Sequence, residues 1–144
     1  ASALDFGRRM LAQERIYCPG GNAIADAVLL AAQSIRDNGF EGTRRVIDVS
    51  GDGPNTIGPA MTEVRDAVVN SGIIINALAI HRESYPDLDV YYRNTVTGGP
   101  GSFVIKAESR ASFADAILRK LVREIVTIQP VSPVHTRISR TNFK

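Results

Sequence analysis

The chain has 144 residues, 44% hydrophobic and 22% charged, which fits one folded domain and excludes disordered and fibrous classes. Seventeen Lys and Arg against fifteen Asp and Glu leave a formal charge of +2, and there is no Trp to stack on bases, so nothing argues for nucleic acid or an anionic membrane as partner. The one cysteine, Cys18, cannot close an intrachain disulfide, and no apolar run is long enough to span a bilayer.

Taken in chain order, Leu4, Phe6, Met10 and Leu11 fall at helical spacing and predict a first amphipathic helix ending before Tyr17-Cys18-Pro19-Gly20-Gly21. The start Ala1-Ser2-Ala3-Leu4-Asp5 has no charged or apolar leader pattern, so the expectation is that any signal peptide has been removed or never existed. Asn22 stands where an N-cap belongs. Ile24, Ala27, Val28, Leu30, Ala31 and Ile35 follow at the period of a buried helix, which Asn38-Gly39 closes. Val46 to Val49 predict a first strand. After the loop from Gly51 to Gly58, Pro59 opens a helix carrying Met61, Val64, Val68 and Val69 that stops at Asn70-Ser71-Gly72. Ile73 to Ile80 is a near-continuous apolar run, the pattern of a strand covered on both faces. Tyr85 to Val96 reads as a short helix, Phe103 to Ala107 as a third strand and Ser112 to Val126 as the last helix. Pro130 and Pro133 mark residues 127–144 as an extended tail after a domain of residues 1–126.

Strands alternating with helices predict an α/β, Rossmann-like parallel sheet with flanking helices. Three strands are few for such a sheet, and an uncovered central strand is an aggregation hazard. Something is therefore expected to pair with Val46 to Val49: an N-terminal half outside this chain, a second copy by self-association, or the tail, where Val134, Thr136 and Ile138 alternate.

The chemistry concentrates in Ser50-Gly51-Asp52-Gly53, where an apolar strand runs into a turn whose charged side chain is a carboxylate between glycines. Ligands of open α/β sheets bind at the carboxyl ends of strands. Gly51 and Gly53 are expected to let the turn tighten and leave room for a ligand, with no base nearby to neutralise Asp52. A hard cation such as Mg²⁺, or Mn²⁺ or Ca²⁺, suits an oxygen ligand of this kind. The plain alternative is a turn carboxylate that only accepts backbone N–H bonds.

Several motifs occur in one order: Gly20-Gly21-Asn22-Ala23-Ile24-Ala25-Asp26-Ala27, Phe40 to Asn55, Pro86-Asp87-Leu88-Asp89-Val90-Tyr91-Tyr92-Arg93, and Gly98-Gly99-Pro100-Gly101-Ser102-Phe103-Val104. From the first helix to Glu124 the chain resembles the C-terminal half of a bacterial von Willebrand factor A-like family of unestablished function, the domain of unknown function 1194. That resemblance implies a metal-ion-dependent adhesion site: an Asp-x-Ser-x-Ser loop, a Thr from a second loop and an Asp from a third. Asp52 corresponds to the third-loop Asp and Asn22 to the second-loop Thr, while the first loop and its strand are expected before residue 1. Asn22 departs from the pattern, since an amide oxygen coordinates a cation but is longer than a hydroxyl. The implied function is a non-enzymatic, protein-binding module in which the ion recruits an acidic residue of a partner. Ion binding is expected to be weak or absent in this chain, and the family resemblance favours a periplasmic or cell-surface location.

Asp48-Val49-Ser50-Gly51-Asp52 itself imitates the first-loop motif, but motif order ranks that reading second. Asp48 is expected to point into the sheet or cap a loop, and Ser50 to satisfy turn backbone. Asp26 reads as an exposed helix residue or an outer hydrogen-bond acceptor behind the ion. His81 at a strand end lacks a Ser, Cys or carboxylate motif and reads as a loop residue, as does His135. Tyr91-Tyr92 reads as packing, Cys18 as a half-buried small residue, and Gly98-Gly99-Pro100-Gly101 as an irregular connection before a phosphate cradle. A nucleotide- or S-adenosylmethionine-binding enzyme using the Gly51-to-Gly53 loop is the alternative class. It fits poorly, because Asp52 repels a pyrophosphate and Pro54 removes a donor N–H. A structural domain without an ion is the third.

Overall fold

The computed structural model describes residues 2–14, 20–109 and 111–126. In chain order they form α1 (Ala3–Leu11), α2 (Ile24–Asp37), β1 (Arg45–Gly51), α3 (Met61–Asn70), β2 (Ile73–Ile80), α4 (Leu88–Tyr91) running into a π-helical turn (Tyr92–Val96), β3 (Val104–Ala107) and α5 (Phe113–Val126). The three strands make one sheet in the order β1-β2-β3, both pairs parallel, so the chain has the α/β, Rossmann-like arrangement. Cys18, His135 and the tail from residue 127 lie outside the described residues.

Alternation along β2 decides the two layers. Ile73, Ile75, Ala77 and Ala79 join Ile47 of β1 in a core with Ala25, Val28 and Ala32 of α2, Met61, Val64 and Val68 of α3, and Leu88, Tyr92 and Val96. Leu78 and Ile80 face the other way and meet Ala116, Phe113 and Ile117 of α5. Every residue of β2 except Ile80 is buried, as its unbroken apolar run requires. Truncating Ile75, which is fully buried, to Ala costs about 2–5 kcal/mol.

Several boundaries differ from the sequence reading, two of them near the end of β1 and the loop after it. β1 runs two residues past Val49, because its ladder with β2 continues through Ser50↔Leu78 and Gly51↔Ala79. Pro59 lies before the helix it was expected to open, with Ala60 as the N-cap of α3. Gly39 and Gly72, just past the ends of α2 and α3, hold φ of 73° and 84°, a left-handed turn that L side chains resist.

α1 is closed by a capping box between Ser2 and Asp5, yet it buries nothing: Leu4, Phe6, Met10 and Leu11 are exposed. Among the described residues nothing pairs with the outer edge of β1. α5, which packs on β2 and β3, exposes Leu121, Val122 and Ile125.

The α5 face also holds a charged seam. Asp48 and Asn76 are register partners on β1 and β2. Lys120, whose side chain is 7% exposed, ion-pairs with Asp48 and reaches Glu124 at 3.1 Å. Asn76 donates Nδ2 to Glu124 at 3.2 Å and accepts from the Phe103 N–H. Burial pushes the Glu124 carboxyl above the ordinary carboxylate range, helped by its hydrogen bond to Asp48 and opposed by Lys120.

Candidate functional site

The end of β1 opens into a cavity of about 420 Å³ lined by Asn22, Asp48, Ser50, Asp52 and the two glycines, with the first turns of α2 and Tyr92 as its walls. The cavity therefore gathers the sequence-derived site residues, with one exception. Asp26 does not line it; its carboxylate lies against Gly58, a turn residue with φ of 87°.

Asp52 is the first residue past the ladder, and its side chain is about half exposed. Among the described residues no main-chain amide donates to it. Its contact is Arg82 Nη1 at 3.4 Å, so the expectation that no base neutralises it is corrected. Arg82 arrives there because β2 runs parallel to β1 and, with Gly51 opposite Ala79, delivers its own following loop to the same end of the sheet. With both partners half in water, this pair contributes about 0–1 kcal/mol.

The glycines have a different use from the one expected. Neither Gly51 nor Gly53 has positive φ. A Cβ on Gly51 would overlap the Tyr92 hydroxyl, and one on Gly53 would overlap the Asn22 amide. The space is filled by protein side chains. Tyr92, fully buried, donates its hydroxyl to Gly53 C=O at 3.0 Å, and the Asn55 N–H donates to the Tyr91 hydroxyl at 3.1 Å. The rings meet edge to face with centroids 5.9 Å apart. Burial is the main reason the Tyr92 phenol is held far above its ordinary pKa, with the Tyr91 and Asp52 charges adding to it. The tyrosine pair thus packs, as expected, and also fixes the loop around Asp52.

Asn22 is not the N-cap of α2. That position is Ala23, whose side chain makes no cap bond, and the Ala25 N–H is taken by Asn55 Oδ1 at 3.0 Å. Asn55 also donates Nδ2 to Pro59 C=O. Asn22 instead joins the two loops through its backbone: its N–H donates to Thr56 Oγ1 at 2.8 Å, and its C=O accepts from the N–H groups of Thr56 and Ile57. Its side chain, relieved of capping, lies over Gly53 at the cavity.

Asp48 points to the α5 face and is engaged by Lys120, so its expected loop-capping role is not what the structure shows. Ser50 is exposed, and among the described residues its hydroxyl makes no bond to turn backbone, which corrects that expectation too. His81 donates its backbone N–H to Ala107 C=O, while its buried Nδ1 has no partner among the described residues. Among the described residues no group of three or more His, Cys, Asp or Glu side chains is placed to hold a metal. What the cavity offers is the Asp52 carboxylate in a loose ion pair, the Asp48 carboxylate held by Lys120, an amide and a hydroxyl, donors of the hard-oxygen kind.

Arg82, Tyr92 and Asn55 complete the site and were not legible as such. Each acts across 30 or more residues, and only the parallel register of β1 and β2 offered a signal, for Arg82 alone.

A family model described as "Protein of unknown function (DUF1194)" matches residues 1–129. No curated protein and no solved structure matches the chain.

Proposed function

Since the chain belongs to the DUF1194 family of proteins of unknown function, we propose from its own side chains a non-enzymatic protein-binding module of von Willebrand factor A type. In it, Asp52 and Asn22 take a divalent cation, Mg²⁺ first with Mn²⁺ or Ca²⁺ as substitutes, and the ion recruits an acidic residue of a partner protein. The observation that carries the reading is the cavity at the carboxyl end of β1, into which Asp52 is presented with a single loose ion pair.

An octahedral ion needs six oxygens. Asp52 and Asn22 supply two, Ser50 stands beside them, and Asp48 remains with Lys120, so water and the partner carboxylate fill most of the shell. The ion also displaces Arg82, a small penalty for so exposed a pair. Binding by this chain is therefore weak, and a partner strengthens it.

Thermal unfolding during a Mn²⁺ or Mg²⁺ titration tests this, because a ligand selective for the native state raises Tm. The wild type should show a saturable rise and Asp52→Ala should abolish it. An equal rise in both proteins rejects the site and leaves an ion-free structural domain.

The edge of β1, unpaired among the described residues, supports self-association along that edge. Sedimentation equilibrium should detect dimers, and a monomer at all concentrations rejects them. No described helix is long and apolar enough to cross a membrane. An exported location rests on the family resemblance alone.

A further inference from the structure

The opposite edge of the sheet carries a second cavity, of about 390 Å³, lined by Arg93, Thr97, Ser102, Phe103, Val104 and Arg123. Two guanidinium groups and two hydroxyl residues line it, and among the described residues no carboxylate does. Each comes from a different part of the fold: Arg93 from the π-helical turn, Ser102 from the turn entering β3, and Arg123 from the last turns of α5.

The turn is built in advance. Gly99 and Gly101 hold φ of 94° and 73°, and a Cβ on Gly99 would sit 3.2 Å from the Ile74 backbone. The Ser102 N–H donates to Gly99 C=O, whereas its hydroxyl makes no hydrogen bond among the described residues. Because the Ala77 N–H is spent on Phe103 C=O, ladder alternation turns the Val104 N–H away from β2, to the outer edge. The Arg123 guanidinium lies 4.4 Å over the Phe103 ring, which holds it in place. Arg93 meets Asp89 at 3.5 Å through one nitrogen, and its other donors lie on a side chain that is 60% exposed.

We propose that this cavity binds the phosphoryl group of a phosphorylated small molecule. Donors converging from three directions suit a tetrahedral anion with three free oxygens, whereas a planar carboxylate is satisfied by one guanidinium fork. The volume is within the range of small-molecule sites, which leaves room for the rest of the ligand. This site is on the other edge from Asp52 and does not depend on the ion-binding reading.

The test is an NMR titration of backbone amides with potassium phosphate at constant ionic strength, with chloride and succinate as parallel arms. Saturable shifts at Ser102 and Val104 with phosphate alone are expected. Arg93→Gln and Ser102→Ala should each weaken the affinity several-fold, Arg123→Lys should do likewise by replacing the fork with a point charge, and Asp52→Ala should leave it unchanged. Both Arg93 and Ser102 reach the surface, so their variants keep the fold. Shifts that follow ionic strength in every arm, shifts centred away from this turn, or equal binding of succinate would overturn the proposal.

Discussion

The contact between Gly51 and Tyr92 can be dissected by a double-mutant cycle. Tyr92→Phe removes a buried hydroxyl that donates to Gly53 C=O at 3.0 Å and strands the carbonyl, a loss of about 1–3 kcal/mol. Gly51→Ala places a methyl against that same hydroxyl; φ at Gly51 is not positive, so the penalty is overpacking, about 1–3 kcal/mol. Summed as independent effects, the two amount to about 2–6 kcal/mol. They are not independent. Once the hydroxyl is gone the nearest Tyr92 atom is the ring Cζ at 3.6 Å, an ordinary van der Waals separation, so the methyl enters the space vacated. The double variant should then be no less stable than Tyr92→Phe alone, giving a coupling of about 1–3 kcal/mol. At roughly 3–5 °C per kcal/mol for a domain of this size, thermal unfolding followed by circular dichroism resolves it. Additive losses would refute the claim that Gly51 is glycine because of the Tyr92 hydroxyl.

Asn55→Ala should cost about 0.5–2 kcal/mol in urea unfolding, since it removes the cap of α2, whereas Asn22→Ala should stay within about 0.5 kcal/mol. Lys120→Met leaves Asp48 and Glu124 facing each other without a cation; a loss at the lower end of about 3–5 kcal/mol is expected, because Asp48 is partly hydrated. Glu124 binds its proton more tightly folded than unfolded, so the folded state holds more protons between the ordinary carboxylate value and the raised one, and stability falls as pH rises through that window. Glu124→Gln mimics the protonated form and should flatten this slope in denaturant midpoints measured from acid to neutral pH. A slope unchanged by the substitution would assign it to another group.

The fold was readable where one signal dominated. The apolar run Ile73 to Ile80 coincides with β2, and Met61, Val64 and Val68 became the buried face of α3, whereas in α2 only Val28 of the expected set is buried, alongside Ala25 and Ala32, and Leu30 is exposed. The helix expected over Tyr85 to Val96 holds only four α-helical residues before the ladder widens, with the Thr97 N–H reaching back to Tyr92 C=O. Local pattern does not carry that change of pitch. At the site, Asp52 stands at a strand end beside a cavity because strand ends in parallel sheets are where loops gather. Gly-Gly-Asn before an apolar helix imitates a local cap, and Asn55 took the role from 30 residues away. Single-residue chemistry was thus visible, and the partner of each residue was set by tertiary register.

Because the first turn of α2 is completed by a side chain from beyond β1, this helix does not own its beginning. A peptide of residues 24–37 should fray at its start, and in the intact protein the Ala25 amide should exchange with solvent only when the segment after β1 detaches. Helix and strand end are then one cooperative unit, and slow deuterium uptake at a single backbone position would report on the integrity of both.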